Sequence, residues 1–430
     1  MLILSPFQKR LLNEGGWSTF GKVFAALGTL VGIRLITECV SKDIYGKVIL
    51  LIGIITLGGN LFASPLISAA QRFHPEAVLS QRLPQLRCTV SRMLKRNTGT
   101  LACLFLIGGA IYARLNGISF LVFLAMTAFL LVQITQSFEI SLLTAARRQR
   151  EIAIWLSLEA WLKPILAIAL VFLFGDATQH VLWGYFIAVA VILLRFYLSP
   201  AKPEGTNGSS KTFITDRKLI SDIRRYAMPL VPLALVAWIS TLSDRYIIAG
   251  MLGSASVGIY AACYGLLGMP FLMAGGIIGQ TLRPPYYQAV SAGNINLAKK
   301  LLKTQLTITA LVCGVGVVAV FFLRNIIAAL LLAKEYRSAV SLMTLIAAGI
   351  TFQVITQIFE SILIAYKRTG FLLIIHSFGA VVCVLSVYFL IRRFNLIGAA
   401  MACPVYYLSM LILSMIMAAI TLKKPKTVTK

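Results

Sequence analysis

Twelve apolar stretches recur along the chain, at about 17–38, 44–70, 97–114, 117–143, 152–174, 179–198, 226–250, 254–283, 301–323, 337–366, 370–391 and 396–421. Each is close to the roughly 20 apolar residues that an α-helix needs to cross a bilayer. Composition agrees, because 59% of the 430 residues are hydrophobic and mean hydropathy is +0.86, too much apolar surface for a soluble protein to cover. The expected fold class is therefore an all-α polytopic membrane protein with about 12 transmembrane helices.

Charge then sets the expected orientation. With a cytoplasmic N-terminus, the inner segments carry 28 of the 40 Lys and Arg residues and the outer segments carry 8. Such a split follows the preference for basic residues on the inner side and places both termini in the cytoplasm. It also accounts for the net charge of +26 without a nucleic-acid partner. No outer loop exceeds about fourteen residues, which leaves no room for an extracytoplasmic catalytic domain. The N-terminal segment lacks a basic region ahead of a long apolar core, so a short interfacial helix is expected there rather than a cleaved signal.

The longest loop, from Ala201 to Lys218, is rich in Gly, Ser, Thr and Pro and reads as a flexible cytoplasmic linker. It divides the chain into an N-terminal six-helix bundle (1–200), the linker (201–221) and a C-terminal six-helix bundle (222–430). The halves echo each other. Thr135-Gln136-Ser137-Phe138-Glu139 matches Thr356-Gln357-Ile358-Phe359-Glu360 in four of five places, and at the same spacing of 221 Leu142 meets Leu363 and Arg147 meets Arg368. Six spans per half give both halves one orientation, so the expected substrate site lies between pseudo-symmetric halves.

No soluble-enzyme constellation appears. The seven cysteines form no CxxC pair, the three histidines are scattered, and no Walker loop or nucleophile elbow is present. An enzyme is not expected, nor a bound cofactor or metal. Transport by such a chain runs on a gradient, of H⁺ or Na⁺, or on the substrate itself.

Apart from those within three residues of a span end, four basic residues lie within spans: Lys22, Arg34, Lys163 and Arg245. A charged residue in a lipid-spanning helix costs about 2.5–3.5 kcal/mol and usually faces a protein interior or a watery cavity. If all four face one cavity, they form a cationic ladder suited to a pyrophosphate. Each also has a structural reading. Lys22 can snorkel to the interface, Lys163 can pair with Glu159 one turn before it, and Arg34 with Glu38 one turn after. Asp244 and Arg245 point about 100° apart on a helix, so each is expected to find its own partner. Among the acids, Glu139 and Glu360 either receive a driving cation or clamp the loops of Arg147 and Arg368. Gln136 and Gln357 join them as polar cavity candidates, and Gln353, Gln357 and Glu360 form one helical stripe.

The run Asp244-Arg245-Tyr246-Ile247-Ile248, followed by Gly258-Ile259-Tyr260, resembles the seventh-helix signature of the polysaccharide transporter family. These are the Wzx-type O-antigen and oligosaccharide flippases of the multidrug/oligosaccharidyl-lipid/polysaccharide (MOP) exporter superfamily. In the first half, Tyr45-Gly46 stands in place of the Gly-x-Tyr order. The resemblance implies two six-helix bundles around a central cationic cavity, as in MATE transporters. It further implies that an undecaprenyl-pyrophosphate-linked oligosaccharide is moved across the bacterial inner membrane by alternating access. Membrane lipid, a polysaccharide polymerase and a chain-length regulator would be its partners. Arg245 and Arg34 are carried over as headgroup contacts. The lipid II flippases of the same superfamily usually have fourteen spans, against twelve here. A cation-coupled multidrug exporter is the alternative nearest in fold, and a membrane polysaccharide polymerase a more distant one.

Overall fold

The computed structural model describes residues 6–117, 119–198 and 217–423. Among them every regular element is helical: α1 (Pro6–Cys39), α2 (Lys42–Phe62), α3 (Ser64–Leu79), α4 (Leu83–Asn116), α5 (Leu121–Ala145), α6 (Gln149–Phe174), α7 (Thr178–Tyr197), α8 (Arg217–Ala227), α9 (Leu230–Leu252), α10 (Ser254–Ser291), α11 (Ile295–Leu331), a short 3₁₀ turn (Lys334–Ala339), α12 (Val340–Ala365) and α13 (Gly370–Lys423). Eleven helical stretches in the described residues are long and apolar enough to cross a membrane. One of them, α13, breaks at Asn395, whose φ of 50° and ψ of −136° are not helical. The chain folds back there, since a Cβ on Gly379 would fall 2.5 Å from Met410. Its halves, 370–394 and 396–423, are the eleventh and twelfth expected spans.

The second span departs from expectation. The apolar run 44–70 reads as one helix, but it is interrupted at Ala63, and Pro65 lies in the first turn of α3. Proline fits a first helical turn, where its missing N–H has no partner to lose. Elsewhere the turns follow the sequence. Gly117 (φ 65°) ends α4 and Gly175 (φ 94°) ends α6, while the Asn294 side chain caps α11 by accepting from the Leu297 N–H at 3.0 Å.

The outward faces are apolar, the reverse of a soluble bundle. On α11, Leu311, Val315, Val318 and Phe322 form one stripe at helical spacing and are 65%, 61%, 55% and 73% exposed. Contacts divide the chain into two compact units, residues 1–40 with 50–235, and residues 41–49 with 236–430. Most of the 201–221 linker lies outside the described residues. Residues 222–235, read as the start of the second bundle, group with the first unit, while 41–49, at the start of α2, group with the second.

Inside each unit the same plan is used, in a register that corrects the one read from the motif. Buried positions of α5 and α12 coincide at a spacing of 220, as in Met126/Ile346, Leu130/Ile350, Ile134/Val354, Phe138/Ile358 and Ser141/Ser361. The turn that follows repeats at the same spacing, with Arg147 (φ 59°) answered by Lys367 (φ 56°). The break at Gly175 is likewise answered by Asn395. Gln136 therefore corresponds to Thr356 and Glu139 to Phe359, not to Gln357 and Glu360. One residue of slip turns a helix by about 100°, enough to send matching letters into different surroundings. The second half of α13 repeats α7 position for position: Val181, Leu182, Gly184, Ala188, Val189, Ile192 and Leu193 are buried, as are Ala399, Ala400, Ala402, Tyr406, Tyr407, Met410 and Leu411.

Candidate functional site

The charges within α9 are both buried. Asp244 is 1% exposed and Arg245 9%. They meet each other, and each also has a partner of its own. The Arg245 Nη1 lies 3.2 Å from Asp244 Oδ1 and donates to the Thr241 carbonyl at 3.0 Å, one turn back. Asp244 Oδ1 also accepts the Arg245 backbone N–H at 2.8 Å, and its Oδ2 accepts the Tyr260 hydroxyl of α10 at 2.8 Å. The guanidinium sits 4.8 Å over the Tyr264 ring, whose hydroxyl lies 2.9 Å from that of Tyr407 on α13. Tyr260 and Tyr264 are one turn apart on α10, so both rings reach the same side. The cluster ties α9, α10 and α13 together as a neutral, hydrogen-bonded knot. A buried ion pair of this kind holds its place through such extra bonds, and loss of one member leaves an uncompensated charge.

Arg34 is not the counterpart of Arg245. The breaks at Ser41 and Gly253 align α1 with α9 so that Gly32, Ile33 and Ile36 occupy the places of Asp244, Arg245 and Ile248. Arg34 answers Tyr246 and looks another way. It pairs with Glu38 at 3.0 Å, with side chains 33% and 56% exposed, and its Nη1 is buried without a hydrogen-bond partner. Lys22 lies twelve residues earlier on α1, about 18 Å along the axis. It is half-buried and has no ion-pair partner among the described residues.

Lys163 pairs with Glu159, and its ammonium stands 5.2 Å over the Phe129 ring. The other Glu159 oxygen accepts from Gln136 Nε2, which brings two candidates, Lys163 and Gln136, onto one carboxylate. Glu139, 2% exposed, has an ion-pair partner that sequence reasoning missed. It is Arg87 of α4, not the loop residue Arg147, and Tyr197 of α7 adds a hydrogen bond of 2.8 Å to the same oxygen. Glu139 thus joins α4, α5 and α7.

Glu360 is less well served. Its Oε1 lies 3.2 Å from His376 Nε2 without hydrogen-bond geometry, and the His376 Nδ1 is buried and also unpaired. One turn earlier, Gln357 Oε1 accepts from Arg283 Nη2 at 3.5 Å, while Arg283 Nε and Gln353 Oε1 are buried without partners. Buried polar atoms left open in this way call for water or a bound group. No cluster of metal-ligating residues occurs among the described residues. The arrangement therefore separates two kinds of charge. The Asp244–Arg245 and Glu139–Arg87 pairs join helices and are largely buried, whereas Lys22, Arg34 and Lys163 keep some exposure.

Comparison with known proteins places this framework. No curated protein matches the chain in sequence. Among solved structures, the lipid II flippase MurJ in an inward closed conformation is similar at a TM-score of 0.72 and 14% identity, over 94% of this chain and 87% of that one. A MOP superfamily transporter from Pyrococcus furiosus gives 0.69 at 13% identity over 95% of each chain. An inward-facing multidrug resistance MATE family transporter of the MOP superfamily gives 0.66 at 14% identity over 100% and 98%. At these identities the likeness is one of fold. The family model described as polysaccharide biosynthesis protein matches residues 11–290, from α1 to the end of α10. The chain is a multi-pass membrane protein with the MOP superfamily fold, and it belongs to the polysaccharide biosynthesis protein family.

Proposed function

We propose that the protein is a flippase that carries an undecaprenyl-pyrophosphate-linked oligosaccharide, the repeat unit of O-antigen or another surface polysaccharide, across the bacterial inner membrane by alternating access. The observation that carries this reading is the family match over residues 11–290, in a fold shared with a carrier named for a lipid-linked substrate. Both termini face the cytoplasm, in keeping with the distribution of basic residues, and a polymerase and a chain-length regulator act on the product. The protein itself catalyses no covalent step.

In this reading Lys22, Arg34 and Lys163 contact the pyrophosphate, because they retain exposure and donors. Asp244 and Arg245 act by positioning α9 against α10 and α13. Glu360, with an unpaired buried oxygen beside His376, is the acid suited to a coupling role with H⁺ or Na⁺. Glu139 is held by Arg87 and Tyr197 and serves as a brace.

The test is the leaflet in which lipid-linked oligosaccharide accumulates in a strain lacking the gene, read with a membrane-impermeant sugar probe on sealed vesicles of both orientations. Complete repeat units stranded on the cytoplasmic leaflet, and released by the intact gene, are the expected result. Outer-leaflet units that fail to lengthen would assign a polymerase. Unchanged lipid-linked sugars would overturn the reading in favour of a cation-coupled drug exporter.

A further inference from the structure

A groove in the first unit, distinct from the charges discussed above, runs between α4 and the corner where α8 meets α9. Arg92 and Arg96 come from α4 and Arg224 from α8, while Phe62, Met93 and Met228 supply apolar surface. The space measures about 610 Å³, and no carboxylate lines it. Arg92 and Arg96 lie one helical turn apart, where like charges repel. The groove continues along α8 past Arg217 and Arg225, which extends the basic strip.

The placement of these arginines is built into the fold. Ile223 (0% exposed) and Ala227 (6%) seat α8 on the unit, and the Tyr226 ring meets Phe73 edge-on at 6.1 Å. That leaves Arg224 and Arg225 on the exposed side. The Asn97 side chain donates to the Phe62 carbonyl at 3.1 Å and pins α4 beside the end of α2. Arg92 and Arg96 stand just before the apolar run 97–114, and Arg224 just before the run 226–250. All three therefore sit where apolar helix gives way to basic segment, the level of lipid headgroups. Methionine and valine beyond them offer a flexible apolar wall for an acyl chain.

We propose that this groove binds the phosphate of an anionic phospholipid, with its acyl chain laid along Met93, Met228 and Val231. Guanidinium groups take phosphate oxygens in bidentate fashion, and basic pockets between helices at the inner interface hold anionic headgroups in this way. The site is independent of the transported substrate, since it involves none of Lys22, Arg34, Lys163 or Arg245.

Native mass spectrometry of the purified protein, delipidated and titrated with phosphatidylglycerol or with phosphatidylethanolamine of the same chains, tests it. The expected result is preferential retention of phosphatidylglycerol, weakened about tenfold or more in the triple variant R92Q/R96Q/R224Q. The control triple R114Q/R324Q/R393Q removes as much charge elsewhere and is expected to change nothing. An equal loss in both triples would overturn the proposal as general charge attraction. Displacement of the lipid by inorganic pyrophosphate at equimolar concentration would overturn it in favour of a free-phosphate site. Should the triple variant fail to fold, a photoactivatable phosphatidylglycerol on the wild-type protein reads the same question. Cross-links confined to α4 and the α8–α9 corner support the site, and cross-links spread over the apolar surface overturn it.

Discussion

The two units place their intramembrane cations on one helical plan and use them in opposite ways. In the second unit, Arg245 is enclosed by Asp244, the Thr241 carbonyl and the Tyr264 ring, and the group is neutral and closed. In the first unit, the equivalent place on α1 is Ile33, with Gly32 where Asp244 would stand, and the nearby cation Arg34 is turned aside toward Glu38. The same scaffold thus carries a brace on one side and half-accessible donors on the other. Burial of a charge alone therefore does not tell a closed brace from a half-accessible donor, whereas its remaining donor capacity does.

Breaking the closed knot is expected to have the largest effect. Arg245→Ala leaves Asp244 buried without its cation and should lower stability by about 3–5 kcal/mol. The double variant D244L/R245M should recover most of that loss, as measured by thermal unfolding in detergent. Export by the double variant, scored as surface polysaccharide, separates positioning from contact: retained export supports a brace, and abolished export in a stable double variant would return Arg245 to the substrate.

Next comes the register itself. Ile33→Arg puts a charge at the position matching Arg245 with no acid beside it, and should cost about 2.5–3.5 kcal/mol. Tyr246→Arg, at the position matching Arg34, should cost clearly less. Equal losses would mean that the alignment of α1 with α9 is wrong by a residue. The smallest stability change is expected for Arg34→Ala, about 0–1 kcal/mol, because its pair with Glu38 is partly exposed. Export, however, should fall in Arg34→Ala and further in K22A/R34A. Unchanged export in the double variant at native expression would remove α1 from the headgroup site.

Much of the fold was legible because hydrocarbon imposes long apolar runs, and those runs survive in the letters. Even the fold-back at Asn395 lies beside Arg392 and Arg393, which interrupt the apolar pattern. The break at Ala63 was not legible, since apolar residues continue through it and only Pro65 marks the interruption. The repeat was visible but misaligned. Four identical letters in Thr-Gln-x-Phe-Glu outweighed the spacing of small and large apolar residues, and that spacing decides which face of α12 is buried. Partners were the least legible. Arg87 and Glu139 are 52 residues apart, and no local pattern links a residue on α4 to one on α5. The Tyr260 and Tyr264 pair, one turn apart on α10 and just beyond the Asp244-Arg245 run, was the available signal for the aromatic part of the knot.

Residues 41–49 have a consequence for the order in which the molecule is made. A Cβ on Gly46 would fall 1.9 Å from the Ser254 carbonyl oxygen, and one on Gly258 would fall 2.1 Å from that of Lys42. The two helix starts cross reciprocally at these glycines, and the Ser254 hydroxyl bonds to Asp43. This segment of α2 emerges from the ribosome some two hundred residues before the surface it packs on, so its lodging place does not exist while the first six spans insert. Assembly of the second unit is accordingly a late, long-range closure, slow in the way that contacts distant in sequence are slow. A chain cut within 201–216 leaves its C-terminal fragment without its own first strut, and only co-expression of both fragments restores it.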